Sequence, residues 1–432
     1  MRQSRLHVPR PPARPGQKPD FSYVNISAPG AVARPDTRAP ALEIESLGTE
    51  MVRVLDEQGQ AVGPWNPNLE PEELQVGLRH MLLTRLFDER MQRMQRQGRI
   101  SFYMKSTGEE AVAVAQAMAL RPGDMLFPSY RTQGLFVVRG RTLVDLMCQC
   151  LSNTNDMCRG RQMPIMYHWA AGNIFSISGN LATQFPQAVG WAMAAAIKGE
   201  DQVAAAWLGE GASAEADFHH ALTFAAVYQA PVILNVVNNQ WAISSFQGVA
   251  GGEHRTFARR GPGYGIPGVR VDGNDFLAVY AVTQWAAERA RASGGPTLVE
   301  LVTYRAAAHS TSDDPSRYRP KEEWQAWPLG DPVQRLKEHL IHLGEWSEER
   351  HKALEKELEA HVIACWKEAV TYGTLTEGPW LDPLTMFEDV LHEMPPNLER
   401  QREEFRRLKQ EERAEAAAKA RDADTDTLAG EG

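Results

Sequence analysis

What most constrains the fold of this chain is an alternation. Short apolar runs at Met125 to Phe127, Val203 to Leu208, Val232 to Val237, Val269 to Val271 and Thr297 to Val302 are separated by helix-forming segments. Those segments are Leu143 to Leu151, the Ala-rich Pro186 to Ile197, Ser213 to Tyr228 and Phe276 to Ala292. Runs so short and so continuously apolar read as strands buried on both faces, and strands that alternate with helices build a parallel sheet covered on both sides. The expected fold class is therefore α/β, with a doubly wound, mostly parallel sheet.

The flanks differ in character. Residues 1–68 are rich in Pro, Gly and Arg, with the strand-like Met51 to Leu55 as their one strong periodicity, and read as an extended N-terminal arm. Its first twenty residues carry Arg2, Arg5, Arg10, Arg14 and Lys18 before the first acid, Asp20, as a mitochondrial transit segment would. Five prolines there oppose the amphipathic helix such a segment needs, so an arm in a cytoplasmic protein is the expectation, with the mitochondrial matrix as the alternative. From Pro71 the pattern turns helical, with Leu74, Leu78, Met81, Leu82 and Leu86 recurring at threes and fours, and a second helix is expected near Glu109. Residues 69–330 are read as the α/β domain and 331–432 as a helical tail, whose charged stretch Glu399 to Arg421 reads as a solvated helix face.

Composition narrows the function classes. With 46 Lys+Arg against 55 Asp+Glu the net charge is −9, which disfavours a nonspecific nucleic-acid or anionic-membrane binder. No apolar run approaches the roughly 18–20 residues of a membrane span. Cys148, Cys150, Cys158 and Cys365 form neither a disulfide framework nor a paired metal motif, which fits a reducing compartment.

The chemistry is concentrated in Trp207-Leu208-Gly209-Glu210-Gly211, followed after 26 residues (212–237) by Asn238-Asn239-Gln240-Trp241. Read physically, this is strand, glycine turn, helix, strand and loop, with Phe218, Leu222, Ala225 and Ala226 giving the helix its apolar face. A crossover returns the chain parallel to its starting strand, so Glu210 and Asn239 are expected just beyond the carboxyl ends of neighbouring strands, where open α/β sheets bind ligands. A carboxylate and an amide oxygen are hard donors suited to Mg2+. Gly211 and Ala212, placed at the opening of the next helix, would offer free N–H groups to an anion. A metal with a phosphate is the expected ligand, against the plainer possibility of a strand-to-helix turn capped by its own Glu.

The Gly-acid-Gly and Asn-Asn pair resembles the thiamine diphosphate signature. Further segments resemble the α subunit of the branched-chain 2-oxo acid dehydrogenase decarboxylase component: Gly98 to Met104, Gly108-Glu109-Glu110, Gly160 to Pro164, Ser178 to Gln184, and Tyr304-Arg305 followed by His309 to Asp314. The resemblance implies a thiamine diphosphate-binding α/β fold. It implies metal ligation by Glu210, Asn239 and the Trp241 backbone carbonyl, diphosphate contacts from Tyr130 and Arg131, and backbone contacts to the aminopyrimidine from Gly179 and Leu181. It also implies a monovalent-cation loop for K+ from Ser178, Thr183 and Gln184, where a helix cap ahead of Pro186 is the competing reading. His309 takes the place of the family's active-site histidine, and Ser310 that of the serine phosphorylated in kinase-regulated members. This chain departs from some relatives in having Glu210 for Asp, Ala308 for His and Val237 for a basic phosphate contact.

The implied activity is decarboxylation of branched-chain 2-oxo acids with acyl transfer to the lipoyl group of an acyltransferase component. Pyruvate or acetoin as substrate, and a non-catalytic cofactor-binding assembly role, are the alternatives. Phe102, Tyr103 and Met104 are candidate apolar lining. Cys148 and Cys150 are expected in the core, and His219 and His220 as structural or exposed. The chain has room for only one cofactor-gripping layer, so the Glu that activates the pyrimidine is expected from a β subunit in an α2β2 heterotetramer.

Overall fold

The computed structural model of the chain describes residues 6–253, 255–389 and 391–429. Eight strands are Met51–Val52 (β1), Met125–Phe127 (β2), Ala204–Gly209 (β3), Val232–Asn238 (β4), Trp241–Ala242 (β5), Ser245–Phe246 (β6), Gly268–Asp272 (β7) and Thr297–Val302 (β8). All but β5 and β6, which form a small antiparallel hairpin, join one sheet in the order β1-β7-β8-β4-β3-β2, and every pairing in it is parallel. Ten α-helices are described: Pro71–Arg96 (α1), Glu110–Ala119 (α2), Gln133–Val138 (α3), Leu143–Leu151 (α4), Gln184–Lys198 (α5), Ala216–Tyr228 (α6), Phe276–Arg291 (α7), Pro332–His342 (α8), Glu348–Ala369 (α9) and Pro396–Ala429 (α10). The α/β class and the mostly parallel, two-sided sheet expected from the alternation are what the chain forms.

The strands explain why. Along β3 and β4, Ala205, Trp207, Ile233 and Val237 enter one core, while Ala204, Ala206, Leu208, Val232, Leu234 and Val236 enter the other. Successive side chains of a strand point to opposite faces, so an unbroken apolar run feeds two cores at once. Helices α5 and α6 cover the second face through Phe185, Ala188, Phe218 and Leu222, and the first face is covered by α1–α4 and α7–α9. One buried polar thread crosses the first core: Gln116 of α2 donates to Asn235 at 2.7 Å, and Asn235 donates to the Ala206 carbonyl at 3.0 Å.

Packing does not break at residues 68 or 330. β1 is the edge strand of the main sheet, and Val333, Leu336, Leu354, Leu358, Val362 and Trp366 of α8 and α9 share the first core. Arg335 of α8 donates to Asp272 at 2.8 Å and to Asp275 at 3.4 Å, tying that helix to the end of β7. Of the strand expected over Met51 to Leu55 only Met51–Val52 pairs in the sheet, Leu55 forming an isolated bridge to Ala61. No described helix is long and apolar enough to cross a membrane.

Candidate active site

The register of the sheet places the site. Gly209 of β3 lies opposite Val237 of β4, and Asn238 of β4 opposite Val302 of β8, so the carboxyl ends of three central strands finish side by side. A cavity of about 520 Å³ opens there. Its lining includes Tyr130, Arg131, Ser178, Gly179, Leu181, Gln184, Glu210, Gly211, Ala212, Asn239, Trp241 and His309. Of the metal, cofactor and cation contacts expected from sequence, only Thr183 is not part of that wall.

One local expectation is corrected. Gly211 and Ala212 do not open the crossover helix; Glu210–Ala214 is a separate 3-10 turn, and α6 begins at Ala216. The free N–H groups at this corner belong to that turn. Gly211 is required by close approach, because an added Cβ would lie 2.4 Å from the Cβ of Ala242 in the hairpin.

Glu210 and Asn239 line the same cavity, and a second acid, Glu109, joins them. The Asn239 amide donates to Glu109 at 2.8 Å, which leaves its oxygen, touched only by the Trp241 N–H at 3.3 Å, free to face the cavity. Glu109 also lies 3.6 Å from the Arg131 Nε. Burial pushes both carboxyls up to about 7: for Glu210 against the pull of Arg305, and for Glu109 against Arg131 and the Asn239 hydrogen bond. The Oε1 of Glu210 is buried with no hydrogen-bond partner among the described residues. Two buried acids, one with an orphaned oxygen beside a free amide oxygen, form the donor set that a divalent cation would satisfy. The Trp241 carbonyl accepts from Arg305 at 2.8 Å, so only its second lone pair is available to a metal.

Arg131 is the hub of the opposite wall. It donates to the Lys105 carbonyl at 2.5 Å and to the His309 carbonyl at 2.9 Å, and its other contact is the His309 Nδ1 at 3.2 Å. A guanidinium has no acceptor, so Nδ1 accepts and the neutral ring carries its proton on Nε2. Burial, with Arg131 and Arg305 nearby, lowers the His309 pKa to about 3. The Tyr130 ring meets His309 edge-on at 6.0 Å.

The Ser178 to Gln184 loop is held by its own polar groups. Thr183 occupies the N-cap position of α5 without capping it, and its hydroxyl donates instead to the Asn180 carbonyl at 3.0 Å. Ser178 accepts from the Asn180 N–H at 3.1 Å, and Gln184 donates to the Trp207 carbonyl at 2.5 Å, leaving its side-chain oxygen as an acceptor. Phe102 and Met104 line the cavity, whereas Tyr103 is fully buried with its hydroxyl on Asp88 at 2.7 Å. Cys148 and Cys150 are buried, and His219 meets the Tyr264 hydroxyl at 2.6 Å away from the site.

Sequence reasoning gave no role to Glu109 or Arg305. Both lie in the segments that carried the family resemblance, and the one available signal was a charged residue placed just before a helix (Glu109) or just after a strand (Arg305) at the ligand-binding edge.

The chain is similar to known proteins over most of its length. Residues 78–377 match the family model described as Dehydrogenase E1 component, and residues 2–41 match 2-oxoisovalerate dehydrogenase E1 alpha subunit N terminal. The chain is 60% identical over 401 residues to the 2-oxoisovalerate dehydrogenase subunit alpha of Pseudomonas aeruginosa, covering 93% of this chain and 98% of that one. It is 38% identical over 411 residues to the human mitochondrial 2-oxoisovalerate dehydrogenase subunit alpha, covering 94% and 89% of the two chains. To the mitochondrial subunit alpha 1 of Arabidopsis thaliana it is 39% identical over 354 residues, covering 81% and 73%. The chain therefore belongs to the dehydrogenase E1 component family, among the alpha subunits of 2-oxoisovalerate dehydrogenase.

Proposed function

We propose that this chain supplies the metal- and diphosphate-gripping half of an active site that decarboxylates branched-chain 2-oxo acids and passes the acyl group to the lipoyl arm of an acyltransferase component. The observation that carries the reading is the orphaned, buried Oε1 of Glu210 in the same cavity wall as Asn239, whose amide oxygen accepts only from the Trp241 N–H, at the edge where three strands end. Glu210, Asn239 and the second lone pair of the Trp241 carbonyl would hold Mg2+, and the remaining N–H donors of Arg131 and the turn amides of Gly211 and Ala212 would meet the diphosphate. With Val237 in the cavity wall where some relatives have a basic residue, Arg131 and those amides carry that contact. Ser178, Thr183 and Gln184 would supply oxygens to K+, on the Gln184 acceptor left free by its bond to Trp207.

When bound, thiamine diphosphate supplies the carbon nucleophile that adds to the 2-oxo carbon and takes up the electron pair left as CO2 departs. The protein's part is to place and dry that chemistry. His309, neutral with its proton on Nε2, offers a donor to an oxygen that gains charge. Phe102 and Met104 give the wall an apolar stretch suited to a branched aliphatic side chain. Gly179 and Leu181 sit on the mouth side, where the aminopyrimidine would lie. The partner that completes the site is a β subunit, in an α2β2 assembly. Four free, buried cysteines support a reducing cytoplasm as the place of action.

The test is metal-dependent binding. Glu210→Ala and Asn239→Ala each remove one hard oxygen from a cation that demands near-octahedral geometry, and each should abolish Mg2+-dependent thiamine diphosphate binding, read by fluorescence titration of the assembled protein. Unchanged affinity in both variants would sink the reading. Turnover with 2-oxoisovalerate well above that with pyruvate separates the branched-chain assignment from its alternative, and cofactor binding without CO2 release would mark a non-catalytic subunit.

A further inference from the structure

We infer that the N-terminal arm is an internal strap that sets the metal-binding loop, acting through Tyr23 and Gln240. The inference rests on the metal-site reading given above for Asn239 and Trp241.

The loop from Asn238 to Trp241 turns on Gln240, whose φ of +76° lies in the left-handed region that a residue with a side chain adopts only when its surroundings hold it there. Those surroundings are specific. The Gln240 amide nitrogen donates to the Asn238 carbonyl at 3.0 Å, to the Asn238 side-chain oxygen at 3.2 Å and to the Thr303 carbonyl at 3.2 Å. Its Oε1 accepts from Gln247 at 2.9 Å and from the Tyr23 hydroxyl at 3.1 Å. Gln240 is 1% exposed, so its bonds to Asn238, Thr303 and Gln247 are made away from water, where an unmade bond is expensive, while the Tyr23 bond is part-buried.

The arm reaches this residue through aromatic packing. The Tyr23 ring meets Phe246 edge-on at 5.2 Å, and Phe21 meets Tyr304 at 6.0 Å and Trp327 at 5.1 Å. Phe21, Tyr23, Val24 and Ile26 all pack on the cluster that contains Trp241 and Phe246. The same segment is tied to β1, because Ser27 accepts from the Met51 N–H at 2.9 Å. The arm thus packs on the cluster of Trp241 and Phe246 next to the left-handed turn, and among the described residues the hydroxyl of Tyr23 is its one polar handle on the turn itself. Gln240 fixes the path by which Asn239 and Trp241 reach the cavity, which makes Tyr23 a positioning residue for a site it does not line.

The experiment uses the full chain assembled with its β subunit and stripped of metal by a chelator. Mg2+ is titrated at saturating thiamine diphosphate, binding is read from tryptophan fluorescence, and thermal melting of the metal-free protein is recorded in parallel. Tyr23→Phe removes only the hydroxyl. It should weaken Mg2+ binding by about three- to tenfold, the span expected for losing one buried hydrogen bond, and excess Mg2+ should restore the wild-type turnover number. Phe21→Ala, which loosens the strap without touching Gln240, should shift the same midpoint in the same direction. A Tyr23→Phe protein that melts lower yet binds Mg2+ as the wild type does would reduce the arm to a packing element and overturn the inference. So would a turnover number that stays depressed at saturating Mg2+. Failure of the underlying metal reading is distinguishable, since the wild type itself would then show no Mg2+-dependent binding.

Discussion

At the scale of single residues, His309 shows how a loop histidine acquires a role. In water its ring would titrate near 6.5, but here Arg131 donates to Nδ1 and burial lowers its pKa to about 3. Its ring is therefore neutral well above that pH, with the Nε2 proton available to donate. Its N–H bond to Asp313 at 2.7 Å fixes the backbone and spares the ring. Replacing it by Ala removes little packing, so folding should survive. Acyl transfer to the lipoyl partner should fall on the order of 100- to 1,000-fold, the range for removing one hydrogen-bond donor from an oxygen that gains charge, where a merely solvated histidine would change it less than about twofold. The linkage has a definite sign. The unfolded chain takes up a proton at this residue below about 6.5 and the folded chain does not until about 3, so stability is lost as the pH falls through that window and is unaffected by this group above it. In His309→Asn, whose Oδ1 can accept from Arg131, the fall of melting temperature from pH 6.5 to 4 should be shallower than in the wild type. Identical slopes would show that the ring is not held neutral.

Elements make those residue positions possible, and Asp88 on α1 is the case in point. Its carboxylate accepts from the Tyr103 hydroxyl at 2.7 Å, the Ser106 hydroxyl at 2.7 Å and the Ser106 N–H at 2.6 Å, and burial raises its pKa to about 6. The segment so pinned offers the Lys105 carbonyl to Arg131 and the Met104 carbonyl to Gln133, at 2.5 and 2.7 Å. Asp88→Ala should cost roughly 1–3 kcal/mol for each donor it orphans, seen in urea unfolding, and should weaken thiamine diphosphate binding because Arg131 loses its perch. A stability loss with unchanged cofactor affinity would sever that link. Much at this scale was legible beforehand. The runs at 125–127 and 297–302 match strands β2 and β8, because strands buried on both faces leave an unbroken apolar mark. Other elements leave none. Each strand of the hairpin Trp241–Ala242 and Ser245–Phe246 has 2 residues, too few for a period. Helix α3 carries in its first turn a Gly that reads as a breaker, yet an added Cβ on Gly134 would come within 2.9 Å of Val114, so the glycine is there for close packing. The stripe Leu354, Leu358, Val362 on α9 is thin among Glu and Lys, which is why a packed helix read as a tail. Glu109 and Asn239 are 130 residues apart, and only the folded sheet brings them to 2.8 Å.

For the whole molecule, the cavity poses a balance that one chain does not close. Among the residues lining it the acids are Glu109 and Glu210, and both stand where the metal is proposed, one on Asn239 and Arg131, the other with an oxygen that has no partner among the described residues. On that proposal none of the lining acids is left to activate the pyrimidine ring proposed to lie near Gly179 and Leu181. The mouth carries Met163, Leu181, Ile243 and Val249, exposed by 54%, 50%, 53% and 60%, an apolar rim that a lone soluble protein gains nothing by showing to water. A β subunit that covers this rim and brings a carboxylate to it would answer both features together. The isolated chain should therefore neither release CO2 from 2-oxoisovalerate nor bind thiamine diphosphate tightly, and adding the β subunit should restore both. Charging one rim position, as in Leu181→Glu, should weaken that assembly by burying an unpaired charge at the interface. It should leave the melting temperature of the lone chain nearly unchanged, because the side chain is half exposed there. Sedimentation of the two chains together reads the assembly, and CO2 release reads the function. Robust decarboxylation by this chain alone, with no second polypeptide present, would refute the shared site, and full assembly of Leu181→Glu would move the interface elsewhere on the surface.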